Sequence, residues 1–219
     1  CTAIVLNVVH AQQSGAPKTY HITAKDVGEP TTQVPNPPKV VPKPADVELV
    51  VPEGFKVEPF AEGFKRPRWV VEAPNGDIFI SDSTAGSIYV LRDANKNQTI
   101  EESERTEFAT GLTQPFGMDF GKDGFYVANT DSVVRFPYKA GDTKASGAPT
   151  KIADLPSGKT GHWTRTIRFA PDGKTFYVTV GSSSNIDVET DPIRATVLRF
   201  YPDGSGREVI ATGVRNAIG

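Results

Sequence analysis

The sequence predicts an all-β fold of consecutive four-stranded antiparallel sheets, and three observations support this prediction. A glycine turn recurs about every fifty residues, at Gly76, Gly124 and Gly173. Short strand-like runs lie on either side of each turn, and no run has a helical period long enough to compete. Four short strands in each repeat of about fifty residues are typical of a β-propeller blade.

The strand-like runs occur in the same order in every repeat. The first run after each turn is Ile78-Phe79-Ile80, Phe125-Tyr126-Val127 or Phe176-Tyr177-Val178, and the next is residues 88–91, 133–136 or 197–200. A further run ends the unit, at residues 105–109 and 207–211. Asn-Gly and Asp-Gly turns suit hairpins because glycine tolerates positive φ. A β-sandwich is the alternative all-β fold, but it would not repeat at a fixed period. We therefore expect about three and a half blades of a probable six.

Composition divides the chain into three segments. Residues 1–17 lack Lys, Arg, Asp and Glu and contain an apolar run before Ala11, which favours a truncated signal peptide over a strand or a tail. Residues 18–48 are polar and proline-rich, which predicts an extended linker. Residues 49–219 hold the repeats and form the predicted partial propeller, the catalytic domain. The signal peptide implies a periplasmic or secreted protein, and the chain is expected to be a fragment.

Charge and cysteine content exclude several classes of function. The formal net charge is −2 with both signs mixed, so a basic nucleic-acid-binding surface is not expected. Cys1 is the single cysteine, which excludes a disulfide framework within these residues. No apolar stretch reaches 18 residues, so the sequence predicts no transmembrane helix.

The loops that lead into the innermost strand of each unit, here called the lead-in loops, differ from one another. In a propeller these loops lie at one end of the central channel, where sites usually form. A purely structural repeat would keep them equal, yet each offers a different polar group. They are residues 63–67 (GFKRP), 111–115 (GLTQP), 161–165 (GHWTR) and 213–217 (GVRNA).

His162 is the leading candidate for chemistry, because it is the only histidine after residue 21 and histidine accepts protons near neutral pH. The alternative is a loop histidine satisfied by the backbone or stacked on Trp163. Arg165, Arg215 and Asn216 are donors suited to a carboxylated or quinone cofactor, and arginine offers a bidentate fork for carboxylates. A surface ion pair is the alternative for Arg165.

Several blocks of the sequence resemble the soluble quinoprotein sugar dehydrogenases, the PQQ-dependent sorbosone/glucose dehydrogenase family. Residues 161–173 (GHWTRTIRFAPDG) look like the block with the family's catalytic histidine, and residues 211–216 (ATGVRN) resemble its G-x-R-N block. Residues 49–55, 112–117 and 180–185 match further blocks, so the resemblance covers residues 49–219. The resemblance is closer to the sorbosone dehydrogenase branch than to the classical glucose enzyme. Gly161 stands where the glucose enzyme carries an acidic residue, which argues against glucose itself as the substrate.

The resemblance implies PQQ-dependent oxidation of an aldose or a sorbosone-like sugar by hydride transfer to the quinone. It implies that His162 is the general base and that Arg215 stabilises negative charge on the quinone oxygen. It also implies a cofactor-binding set of Arg215, Asn216, Gln114 and Arg165, and a substrate-binding set of Ser183, Asn185 and Trp163. Calcium is the second implied cofactor, with ligands expected after Gly219 and none before it. The implied electron acceptor is a cytochrome c or a quinone.

Residues 93–104 have oxygen-bearing side chains at positions 1, 3, 5, 7 and 12 of a calcium loop. Gln98 stands at position 6, where an EF-hand needs glycine, and no flanking helices are predicted. The pattern therefore favours a solvated hairpin.

Two other functions fit a propeller. A metal-dependent lactonase would need a carboxylate, an asparagine and an aspartate that converge on the channel. Glu72 and Asp119 occupy the expected strands, but the sequence offers no third ligand. A non-enzymatic binding propeller of the NHL type is the second alternative, because residues 75–82 look like a generic blade of that kind.

Overall fold

A computed structural model describes residues 49–157 and 161–218, together with a few isolated residues between 21 and 47. The predicted signal peptide, residues 1–17, and most of the predicted linker, residues 18–48, lie outside the described residues. Among the described residues, no helix has the length and apolar character needed to cross a membrane.

In the residues that the structure describes, twelve strands form three four-stranded sheets, each antiparallel and ordered as in the chain. The first sheet contains β1 (Pro67–Glu72), β2 (Ile78–Asp82), β3 (Ser87–Leu91) and β4 (Arg105–Ala109). The second contains β5 (Met118–Gly121), β6 (Gly124–Ala128), β7 (Ser132–Phe136) and β8 (Thr150–Asp154). The third contains β9 (Ile167–Phe169), β10 (Phe176–Val180), β11 (Thr196–Phe200) and β12 (Glu208–Thr212). In the described part of the chain, the one helical element is a 3₁₀ turn at Glu102–Glu104. The predicted all-β propeller fold is confirmed, as three consecutive blades that do not close into a ring.

The glycine turns predicted from the sequence join the first two strands of a blade. Gly76 has φ +88° and its N–H donates to the Ala73 carbonyl at 2.9 Å. Gly173 has φ +70° and its N–H donates to the Ala170 carbonyl at 2.8 Å. Both positions need the left-handed backbone that side chains with a Cβ disfavour, which explains why the repeat is marked by glycine.

Aromatic side chains fill the space between neighbouring blades. Phe79 of the first sheet lies 4.9 Å from Phe125 of the second, between ring centroids, and both are fully buried. Tyr126 of the second sheet lies 5.6 Å from Phe176 of the third. Each such ring contributes about 1.5–3 kcal/mol through burial. Adjacent strand residues therefore serve opposite interfaces, since Phe125 faces the first blade and Tyr126 the third.

The lead-in loops contact one another or the residues after β2 and β6, which places all four at the same end of the sheets; the first loop is tied there by the Ser83 amide, which donates to the Arg66 carbonyl at 3.1 Å. The Ser83 hydroxyl, after β2, donates to the Pro115 carbonyl of the second loop at 2.6 Å. The Thr130 hydroxyl, after β6, donates to the Trp163 carbonyl of the third loop at 3.1 Å. The Thr164 hydroxyl of the third loop donates to the Asn216 side-chain oxygen of the fourth at 2.9 Å. Polar groups distant in sequence therefore meet at this end.

Two segments outside the sheets bear on sequence predictions. Residues 55–60 resemble an outer strand that would complete the last blade of a closed ring, but they form no strand here and Phe55 is 73% exposed. That residues 55–60 pair with the last blade of a closed ring stays a prediction.

In residues 93–104, Asp93 accepts hydrogen bonds from the Asn97 and Gln98 amides, and Glu104 accepts from the Ala94 and Asn95 amides. The carboxylate oxygens of this loop therefore accept hydrogen bonds from backbone amides of the same loop.

Tyr126 gives the fold an alkaline limit that can be tested. Burial, followed by the hydrogen bond to Asp123, raises the pKa of Tyr126 to about 12, against about 10 in an unfolded chain. Between about pH 10 and about pH 12 the folded state keeps the phenol proton, whereas the unfolded state loses it. The contribution of Tyr126 to the free energy of unfolding is therefore fully present below about pH 10 and is lost as the pH rises through about 12. A pKa difference of two units corresponds to a change of at most about 2–3 kcal/mol in the free energy of unfolding.

Tyr126→Phe should abolish this alkaline loss, as measured by urea unfolding over a pH series. The wild-type and variant curves should converge toward about pH 12, because the variant lacks the phenol at every pH. Tyr201→Phe, which changes a half-exposed tyrosine, should retain the wild-type slope. A Tyr126→Phe curve that falls as steeply as wild type would contradict the assignment.

Candidate active site

His162 lies in the third lead-in loop, and Ser182 holds its ring. The His162 amide donates to the Ser182 carbonyl at 3.0 Å. The Nδ1 atom lies 3.2 Å from the Ser182 carbonyl oxygen and 3.1 Å from the Ser182 hydroxyl. The backbone and the side chain of His162 are thus both tied to the first residues after β10.

The partners of Nδ1 assign the tautomer of His162. A carbonyl oxygen can only accept, so Nδ1 must carry the hydrogen in that bond. The Ser182 hydroxyl donates its own hydrogen to the Ser184 carbonyl at 2.6 Å, so it too acts as an acceptor toward Nδ1. In the neutral imidazole, Nε2 therefore holds the lone pair, and no hydrogen bond to Nε2 is seen within the described residues. Such a nitrogen is ready to take a proton.

Arg215 and Asn216 lie near His162. The Ser182 amide donates to the Arg215 carbonyl at 2.8 Å, which joins the fourth lead-in loop to the segment that holds His162. The exposed Arg215 guanidinium donates to the Asn185 side-chain oxygen. The Asn216 side-chain oxygen is taken by Thr164. This leaves the Asn216 amide group as a donor for a ligand.

Gly181 makes this close arrangement possible. A Cβ atom on Gly181 would lie 2.4 Å from the His162 Cβ and 3.0 Å from the Asn216 side-chain oxygen. No real Cβ tolerates the shorter contact, so any larger residue must push His162 away. Gly161 is similarly confined, because its Cβ would lie 2.4 Å from the Ser183 carbonyl oxygen and its φ is +90°.

Gly181→Ala is expected to displace His162 and to lower turnover by about 10-fold or more, because misplacing a reacting group by about 1 Å can cost about 10²-fold. The backbone of Gly181 is not left-handed, so the effect should come from the contact with His162. Steady-state kinetics of the full-length protein test this. Gly147→Ala is the matched control, since a Cβ there meets nothing within 4 Å. Equal kinetics for both variants would contradict the packing argument.

Trp163, Gln114 and two arginines form a second group at the same end. The guanidinium carbons of Arg66 and Arg68 lie 5.3 and 5.6 Å from the Trp163 ring centroid. Both arginines are exposed, and neither forms an ion pair within the described part of the chain. Gln114 joins the group through a long 3.4 Å contact between its side-chain oxygen and the Thr130 hydroxyl. The two guanidiniums over the Trp163 ring, which form no ion pair in the described part of the chain, are suited to binding the carboxylates of an anionic ligand.

Arg165 is placed differently from the other predicted cofactor ligands. Its side chain is fully buried and donates to the carbonyls of Pro156, His162 and Thr164, each at 2.8 Å. Neither a surface ion pair nor an exposed donor describes this arginine. Its predicted role toward the cofactor is not visible in these contacts.

The predicted substrate-binding residues lie around the loop after β10. Asn185 contacts Arg215, and the Trp163 ring lies against the guanidinium groups of Arg66 and Arg68. The Ser183 amide donates to the Glu189 carboxylate at 2.6 Å. This and other backbone donors hold the pKa of Glu189 below its usual range. Ser183 is therefore engaged in shaping the loop.

The carboxylates considered for a lactonase line a cavity that does not include His162. Glu72 and Asp119 line a cavity of about 500 Å³ together with Arg168. Asp119 accepts the Phe169 amide at 2.7 Å and pairs with Arg168 at 3.5 Å, so it joins the second blade to the third. Over the described residues, no three His, Cys, Asp or Glu side chains are placed to hold a metal.

The fold and the candidate site define a β-propeller that brings a histidine, an arginine and an asparagine together at one end of its blades. A family model described as TrAA12-like matches residues 49–219, and the chain therefore belongs to the TrAA12-like family. The resemblance to PQQ-dependent sugar dehydrogenases predicted from the sequence is confirmed at this level of family. A comparison with curated proteins finds no match.

Solved structures share the fold at low sequence identity. The holo form of the pyranose dehydrogenase PQQ domain from Coprinopsis cinerea matches with a TM-score of 0.66 and 20% identity, over 77% of this chain and 44% of that one. The calcium structure of the Trichoderma reesei carbohydrate-active enzyme of family AA12 matches with a TM-score of 0.66 and 16% identity, over 78% and 46%. The PQQ-bound aldose sugar dehydrogenase from Streptomyces coelicolor matches with a TM-score of 0.55 and 21% identity, over 73% and 54%. The chain thus spans about half the length of these structures.

Proposed function

We propose that this chain contributes to a PQQ-dependent dehydrogenase that oxidises a sugar, an aldose or a sorbosone-like sugar. The observation that carries the proposal is the tautomer of His162, which leaves Nε2 as a proton acceptor beside Arg215 and Asn216. Membership of the TrAA12-like family and the likeness to PQQ-bound folds support the same chemistry.

The residues at this end of the blades fit a quinone with carboxylate groups. Arg66 and Arg68 are cations without ionic partners in the described residues, and Trp163 offers a flat surface. Arg215 and the Asn216 amide are further donors next to His162. We propose that Arg215, Asn216 and Gln114 bind the cofactor, as the resemblance implies, and that Arg66 and Arg68 add to this set. When bound, PQQ would supply a two-electron acceptor for the sugar.

The chain's own residues would provide proton transfer and charge. His162 takes the proton of the reacting sugar hydroxyl on Nε2, while Ser182 keeps the Nδ1 hydrogen in place. Arg215 presents its guanidinium to negative charge that develops during the reaction, with Asn185 fixing its orientation. Asn185, Ser183 and Trp163 would bind the sugar, as the resemblance implies.

The calcium ion, the electron acceptor and the location of the protein complete the proposal. Calcium would use ligands after Gly219, and a cytochrome c or a quinone would accept the electrons. A periplasmic or secreted location suits such an enzyme. The lactonase alternative gains no support from the contacts of Asp119, which are made within the fold.

Reconstitution tests the proposal directly. The cofactor-free full-length protein is titrated with PQQ in the presence of Ca²⁺, and reduction of an artificial dye is followed with a panel of aldoses and sorbosone. Saturable PQQ binding and PQQ-dependent dye reduction are expected. Calcium alone is the control and should give no dye reduction. Absence of PQQ binding would overturn the proposal, and lactone hydrolysis without PQQ would favour the lactonase.

A further inference from the structure

Two buried arginines, Arg165 and Arg194, lie close to the loop that contains His162. Arg165 is fully buried and Arg194 is 8% exposed. Burial, followed by the charge of Arg194, lowers the pKa of Arg165 to about 10, so the guanidinium stays charged at neutral pH. Burying a cation without a carboxylate partner is costly, so the carbonyls that Arg165 binds must compensate for it.

The acceptors of Arg165 belong to two segments that its guanidinium ties together. One terminal nitrogen donates to the His162 and Thr164 carbonyls, and the other donates to the Pro156 carbonyl. Pro156 follows β8 of the second blade, whereas His162 and Thr164 lead into β9 of the third. The guanidinium thereby holds the backbone on both sides of Trp163 against the preceding blade.

Arg194 extends the same connection to the partner of the His162 ring. It donates to the Pro156 carbonyl at 3.2 Å and makes a long 3.5 Å contact with the Gly181 carbonyl. Gly181 precedes Ser182, whose oxygens accept from Nδ1 of His162. Both sides of the His162–Ser182 contact are therefore anchored to one carbonyl, that of Pro156.

We propose that Arg165 is a positioning residue for His162, and that Arg194 supports it through Pro156 and Gly181. The inference rests on the proposed function in that His162 is taken as the proton acceptor. It gives Arg165 a role through the backbone of His162 in place of contact with the cofactor. The Nε2 atom of His162 keeps its direction because the carbonyls at 162 and 164 cannot rotate freely.

Arg165→Met tests the proposal in the full-length protein, with Arg92→Met as the matched control. Arg92 also bridges two segments, from Asp77 of the first blade at 2.8 Å to the Gly141 carbonyl of the second at 2.9 Å, and neither segment is a lead-in loop. Hydrogen–deuterium exchange of residues 161–166 is measured without cofactor, and kcat, KM and the PQQ dissociation constant are measured after reconstitution.

Arg165→Met should raise exchange at residues 161–166 and lower kcat by about 10-fold or more, since small misplacements of a reacting group cost up to about 10²-fold. The PQQ dissociation constant should stay within about 2-fold of wild type, as a positioning residue does not touch the cofactor. Arg165→Lys, which keeps the charge and three donors, should restore part of kcat. Arg92→Met should lower the melting temperature and leave exchange at residues 161–166 and kcat unchanged.

Wild-type kcat and wild-type exchange in Arg165→Met would overturn the inference, as would a selective loss of PQQ affinity. If Arg165→Met does not fold, Arg165→Lys and Arg194→Met carry the same comparison. If the wild-type protein oxidises no sugar, the proposed function fails, and exchange at residues 161–166 alone then decides whether Arg165 orders this loop.

Discussion

His162→Ala is expected to lower kcat by about 10²–10⁴-fold, the usual cost of removing a general base. The reason lies in the hydrogen positions around the ring. Ser182 binds Nδ1 and leaves the Nε2 lone pair as a proton acceptor, and no other histidine lies in the described part of the propeller. Turnover with a dye acceptor after PQQ reconstitution measures this effect.

The PQQ dissociation constant of His162→Ala should stay near that of wild type, because the ring is bound to Ser182 and the donors for the cofactor are other residues. The melting temperature should change little, since the ring is half-buried in a loop and belongs to neither core cluster. Added imidazole should restore part of kcat by filling the vacated space. A near-normal kcat would show that His162 has only a structural role in its loop and is not the general base.

Arg215→Ala should weaken PQQ binding and turnover together. Arg215 is exposed at the fourth lead-in loop, and its guanidinium is held by Asn185 next to the segment that binds His162. Removing a preorganised donor to developing charge typically costs about 10²–10³-fold in kcat. The joint loss distinguishes Arg215 from His162, whose removal should spare affinity.

Arg207→Ala is the matched control for Arg215→Ala, since it removes an exposed arginine before the outer strand of the same blade. It should leave affinity and turnover at wild-type values. Asn185→Ala should give a smaller loss than Arg215→Ala, because it frees the guanidinium without removing it. An Arg215→Ala variant with wild-type affinity for PQQ would remove this residue from the cofactor site.

Most of the fold could be predicted because its signals are local. The glycines of the turns, such as Gly76 and Gly173, mark positions of positive φ that few other residues adopt. The predicted run at residues 105–109 matches β4, and that at 207–211 differs from β12 by one residue. Pairing in the order of the chain then follows from short hairpin connections.

Much of the site could also be located, because the lead-in loops break the repeat. His162 lies in the third lead-in loop and Arg215 and Asn216 lie in the fourth, and folding brings the two loops together. Ser182, Arg66 and Arg68 were missed. The signal for the arginines was present in the first lead-in loop, but the position of Trp163 beneath them depends on contacts between the first and third blades.

The sequence alone determines the repeat and the strand order within each blade. It also determines which end of the blades carries the candidate site, since each of these features depends on residues close together in the chain. The tertiary structure decides which polar side chains at that end face solvent and which face inward. Arg165 and Arg215 look alike as residues of lead-in loops, yet one is buried and the other exposed. The difference arises because the Pro156 carbonyl of the preceding blade meets Arg165 only after the two blades have packed together.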